Sequence, residues 1–175
     1  MQDSVQTILN FCFNETQPRQ WAQVNIAFDL EVKERFTLLH KMAEEGLCNS
    51  WTETPEGALA YVMLTSVIPH FLYRDTHKAY ALYEQAIAAS LEAIDKGYDQ
   101  VFNAAKKKYF YLALAQSNQV EDIMVAERRI ATIKNQEPVA YQQAFRARIQ
   151  MAEFAEYVEP KARNNQRVLE AVAKI

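Results

Sequence analysis

Apolar residues recur along this chain at spacings of three and four. Val32, Phe36, Leu39 and Ala43 form one such series, and Ala79, Tyr83, Ala86, Ser90 and Ile94 form another of small and large residues. This is the period of an α-helix with one buried face, whereas stretches that alternate apolar and polar residues, as strands do, are scarce. The pattern predicts an all-α chain. A first short helix is expected near Asp3, with Gln6 as its capping-box partner, burying Val5, Ile8, Leu9 and Phe13. After a loop around Pro18, a second covers about 30–45 and stops at Gly46. Thr54-Pro55-Glu56 marks a third start, with a hydroxyl cap, proline at the first helical position and an acid facing the helix dipole. That helix runs to about Ile68, where Pro69 removes a backbone donor and should kink or end it.

Asp75 is placed to cap the next helix, which Gly97 ends. Further helices fit about 99–116, 119–134 and 138–158, and a short one about 163–174, giving about seven to eight antiparallel helices. No linker or low-complexity stretch divides the sequence, so residues 1–175 read as a single helical domain. The spacing Ala79-x3-Tyr83-x2-Ala86 resembles the second helix of a tetratricopeptide repeat, where small residues let paired helices approach closely. No complete period of about 34 residues accompanies it.

Composition narrows the function classes. Half of the 175 residues are hydrophobic and 23% are charged, as in a globular chain with a sizeable core. The net charge of −3 and the lack of a basic tail argue against binding nucleic acid through phosphate contacts. The Lys106-Lys107-Lys108 run reads as a solvated helix face. No formal charge occurs between Gly57 and Tyr73, but Thr65, Ser66, Pro69 and His70 interrupt the stretch and no aromatic belt frames it. A buried central helix is therefore expected and no membrane span. The start, MQDSVQTILNF, has no basic region followed by an apolar run, so no secretory signal is read and a cytoplasmic location is expected. Cys12 and Cys48 are expected as free thiols, a single disulfide being the alternative.

The familiar chemistries are missing. No glycine-rich phosphate loop, nucleophile elbow, or zinc, calcium or dinucleotide signature occurs. His70 and His77 flank Arg74 and Asp75, yet their spacing across a proline break suits no metal and Arg74 would oppose a cation. His40 sits in the last turn of its helix, where a partly protonated imidazole suits the dipole. The aromatic runs at 109–112 and 71–74 read as core. No catalytic residue, metal or cofactor is assigned.

One resemblance spans almost the whole chain. ILNFCF at 8–13, Trp21, FDLEVKERF at 28–36, Ala43, Gly46, Trp51 and TPEGALA at 54–60 carry its first part. PHFLYR at 69–74, AYA at 79–81, GYDQ at 97–100, YFYLALAQS at 109–117 and RN at 163–164 carry the rest. In their order and spacing these pieces resemble the bacterial domain-of-unknown-function family 924, whose members are all-helical and tetratricopeptide-like. The departures carry information. Where the family reads Leu-Leu-Asp-Gln-Phe-Pro-Arg-Asn-Ile-Phe-Arg, this chain puts Ser66 and Val67 at the Asp-Gln pair and His70 and Phe71 at the Arg-Asn pair, keeping Pro69 and Arg74. The family's Glu-His-Ser-Glu falls on Ala115, Gln116, Ser117 and Asn118, and an acid usual in the next helix falls on Tyr83. A Gly-Arg-Phe-Pro-His stretch is replaced by Val158, Glu159, Pro160, Lys161 and Ala162.

Two readings follow. The first is a non-catalytic interaction or scaffold protein, its inherited polar cluster largely lost, that binds another protein or itself through a groove between helices. The second keeps a retuned pocket of His70, Tyr73, Arg74, Tyr83, Gln116 and Ser117, holding a small anionic or aromatic ligand. There Arg74 would anchor the anion and His70 would be the acid–base group. A closed core at these residues favours the first reading, and an open cavity of several hundred cubic ångström the second.

Overall fold

Gly57 has no room for a side chain, because a Cβ there would run into the carbonyl oxygen of Trp51. That contact sits at the start of the helix around which the rest is built. The computed structural model describes residues 2–17, 20–21 and 23–146, and these form helices and turns with no strand. The chain is all-α. In order, the helices are α1 (Gln2–Asn10), α2 (Ile26–Glu44), α3 (Pro55–Val62), α4 (Pro69–Leu72), α5 (Tyr83–Asp95), α6 (Ala104–Leu114) and α7 (Val120–Ala131), followed by helical residues 138–146. The expected helices over 147–158 and 163–174 lie outside the described residues.

The third start signal behaves as its chemistry requires. The Thr54 side chain accepts from the Gly57 amide and Pro55 opens the helix. Every residue from Gly57 to Ser66 is buried, so α3 is apolar on all sides because neighbours cover all of them. It packs against α1, α5 and α6. Ala86, Ala89 and Ala93 give α5 a small-residue face. No helix among the described residues is long and apolar enough to cross a membrane.

Past α3 the chain widens into a π-helical turn, Met63–Val67, in which the Ile68 amide reaches back to the Met63 carbonyl at 2.9 Å. The Thr65 and Ser66 hydroxyls donate to the carbonyls of Tyr61 and Val62, each at 2.7 Å. Such bulges shift the register of the residues that follow them, and they concentrate at functional positions. Pro69 then opens α4.

Several boundaries depart from the sequence reading. Asp3 lies inside the first turn of α1 and caps nothing, and a π-helical turn, Phe11–Glu15, extends that helix. The second helix starts earlier, at Ile26, because the Asn25 side chain accepts from the amides of Ala27 and Phe28. Asp75 does not cap α5. It stands at φ 59° in a turn, and a 3-10 turn, His77–Tyr80, precedes Tyr83. The stretch 99–116 is broken into a 3-10 turn, Tyr98–Val101, and α6, which Asn103 caps. Gly46 and Gly97 end their helices at φ 75° and 72°, where glycine is favoured. His40 is fully buried, and burial holds its pKa below the ordinary value, so the partly protonated imidazole expected there is replaced by a neutral one. Cys12 and Cys48 are buried free thiols.

Candidate functional site

Where α3 breaks into α4, its π-turn faces α5 and the C-terminal end of α6 across an open cavity of ≈ 730 Å³. Ser66 and His70 enter from one side, Tyr83 from the second, and Gln116 from the turn after α6, with Gln143 and Arg146 from the helical residues 138–146. His70 Nε2 lies 2.6 Å from the Tyr83 hydroxyl. Burial, helped by the nearby Arg74 charge, lowers the imidazole pKa, and burial pushes the Tyr83 phenol up to about 12. At neutral pH the pair is therefore an uncharged hydrogen bond. Among the described residues that line it there is no carboxylate, and Arg146 is their cation.

Ser117 faces the same space but is engaged. Its hydroxyl donates to Asp122 at 2.6 Å and accepts from the Gln119 amide at 3.1 Å, which fixes the turn into α7. Such local bonding of serine oxygen is a turn device. With no histidine on its hydroxyl, it is not an activated nucleophile.

Of the six residues predicted from sequence, His70, Tyr83, Gln116 and Ser117 meet at this cavity. Tyr73 and Arg74 do not. Arg74 donates from Nε and Nη2 to the two carboxylate oxygens of Asp29 at 2.7 and 2.6 Å, so its charge is already answered within the protein. Tyr73 packs edge-on against His40, with the Lys78 ammonium 4.4 Å from its ring centre. Ser66, Gln143 and Arg146 escaped the list of candidates. Only Ser66 had a signal, as a position where the family resemblance expects an acid.

A second cavity, of ≈ 590 Å³, shares Val67, His70, Tyr109, Leu112 and Gln143 with the first. Its other walls include Phe13, Trp21 and Phe71, part of an aromatic cluster in which Trp21 and Phe71 meet edge-to-face at 5.3 Å. Among the described residues no group of three or more His, Cys, Asp or Glu side chains could hold a metal ion.

A family model described as bacterial protein of unknown function (DUF924) matches residues 8–170. The chain belongs to this family. A solved structure of a protein of unknown function from Agrobacterium tumefaciens has the same fold, with a TM-score of 0.77 and 24% identity over 86% of this chain and 84% of that one. No match is found among curated proteins. Ser66, His70, Tyr83, Gln116 and Ser117 all line the first cavity.

Proposed function

We propose that this protein is a non-catalytic binder of a small anionic or aromatic molecule in the cavity between the α3–α4 break, α5 and α6. The observation that carries the reading is the open cavity at the altered family positions. If the polar groups had simply been lost, apolar side chains would be expected to close over the space, as interiors pack densely. Instead His70, Tyr83, Gln116 and Gln143 bring neutral hydrogen-bonding groups to a space of ≈ 730 Å³ and Arg146 brings a positive charge. A concave site with a few convergent polar groups is the usual form of a ligand pocket. The anchor for an anion is then Arg146, since Arg74 is held by Asp29. The site of action is the cytoplasm, where the two buried thiols stay reduced.

Native mass spectrometry of the protein purified gently from its own cells tests this. A stoichiometric small-mass adduct that is lost in Tyr83→Phe and Arg146→Glu supports it. A protein free of adduct, with no thermal shift across a broad panel of anionic metabolites, overturns it.

One observation favours a second reading, an interaction module for another protein or a second copy of this chain. Ile26, Leu30 and Leu38 are exposed along α2 at 74%, 60% and 71%. A row of exposed aliphatic side chains on one helix suits a partner's apolar surface. Light scattering of the wild type and of Leu30→Glu distinguishes a self-associating chain from a monomer.

A further inference from the structure

The two cavities differ in chemistry and share part of their walls. Val67, His70, Tyr109, Leu112 and Gln143 line both, so His70 stands at a junction. On one side of it three polar side chains are unspent. Among the described residues, the side chains of Gln116, Gln143 and Arg146 have no hydrogen-bond or ion-pair partner. On the other side, apart from the shared Gln143 and Tyr109, two polar pairs are satisfied within the protein. Trp21 Nε1 donates to the Thr16 hydroxyl at 2.8 Å, and Lys108 pairs with Glu137 at 2.8 Å. The rest of that wall is Phe13, Phe71, Val139 and Ala140, with the Cys12 thiol kept neutral by burial.

A polar ligand entering the second cavity would lose water and find little to replace it, whereas hydrocarbon there gains by leaving water. Arg146, the one unpaired cation at the first cavity among the described residues, suits a single negative charge. We infer that the ligand is an amphipathic monocarboxylate, with its carboxylate at Arg146, Gln116 and Gln143 and its apolar tail passing His70 into the cavity of Phe13, Trp21 and Phe71. This rests on the binding reading above and adds the chemical class of the ligand.

The test is calorimetric titration of the full chain with acetate, hexanoate, decanoate and decylammonium, all below their aggregation limits. Affinity is expected to rise about tenfold for each pair of methylenes from hexanoate to decanoate. Decylammonium should bind at least about tenfold more weakly than decanoate. Ala105→Phe, at the exposed rim of the apolar cavity, should bring decanoate to within about threefold of hexanoate; Arg146→Glu should weaken both acids alike. Should Ala105→Phe fail to fold, Val139→Trp on the same wall makes the same test. A flat series from hexanoate to decanoate, or one that ignores the rim variants, overturns the assignment of the tail. If Arg146→Glu still weakens every acid in that case, the polar pocket itself stands. If no carboxylate binds, the proposed ligand class is wrong, and the mass-spectrometric adduct decides the binding reading separately.

Discussion

Arg74 grips both carboxylate oxygens of Asp29, at 2.7 and 2.6 Å, and so ties the end of α4 to the first turn of α2. Asp29 is 8% exposed, and a two-point match between guanidinium and carboxylate is the strong form of this contact. Removing one partner leaves the other charge poorly solvated. Arg74→Ala is therefore expected to lower unfolding stability by about 2–4 kcal/mol. Arg74→Lys should recover less than half, since an ammonium cannot form the planar fork. Urea unfolding of these variants, with Asp29→Ala to close a double-mutant cycle, measures it. A coupling near zero would show that the pair holds nothing.

The glycine that opens α3 and the glycine that follows α5 should respond differently to alanine. At Gly57 an added Cβ would overlap the Trp51 carbonyl oxygen and stand 2.8 Å from the capping Thr54 hydroxyl. Backbone and cap would both have to move, so Gly57→Ala is expected to cost at least about 3 kcal/mol. Gly97 sits at φ 72° with nothing within 4 Å of the added atom. Only the left-handed backbone is penalised there, at about 1 kcal/mol. Thermal unfolding of the two variants should rank them in that order.

These cases also show where the sequence could be read and where it could not. Thr54-Pro55 declares its helix because hydroxyl, ring and acid each act on the adjacent backbone, and the structure has that start. Gly46 and Gly97 likewise end helices through their own φ angles. Asp75 looked equally local, but the 3-10 turn at His77–Tyr80, which no side chain caps, stands between it and α5. For the site, the family resemblance pointed to His70, Tyr83, Gln116 and the kept Ser117 because such positions are compared one by one along the chain. Arg146 and the Arg74–Asp29 pair depend on which helices lie side by side. That is tertiary information, and no spacing within one helix carries it.

The two thiols should be silent in the native protein. Burial pushes the Cys12 pKa up to about 12 and also raises that of Cys48. Alkylation requires the thiolate, and neither group forms it at ordinary pH or meets solvent freely. Iodoacetamide at about pH 8 is expected to label neither cysteine in native buffer and both in urea, with rates differing at least about a hundredfold. Rapid labelling of Cys12 in the folded protein, read by peptide mass spectrometry, would mean that the cavity wall it occupies opens to solvent.

One buried and one half-buried imidazole should make the fold acid-sensitive. His40 is held below the ordinary value of 6.5 mainly by burial, with Lys78 lowering it further and Glu44, 3.6 Å from Nδ1, opposing; the Tyr73 hydroxyl also faces it. His70 is lowered by burial and by Arg74, and faces Tyr80 and Tyr83. In the unfolded chain both take up protons near 6.5, while in the folded chain they stay neutral to lower pH. Below that value the unfolded state binds more protons, so stability falls as pH drops from about 7 toward the folded pKa values, then levels off. The urea midpoint should accordingly be lower at about pH 5 than at about pH 7. His40→Leu removes one contribution and His70→Asn the other, so each should flatten part of the slope and the double variant most of it. A midpoint that stays constant across this range in the wild type would show that both rings are protonated equally in the folded and unfolded chains.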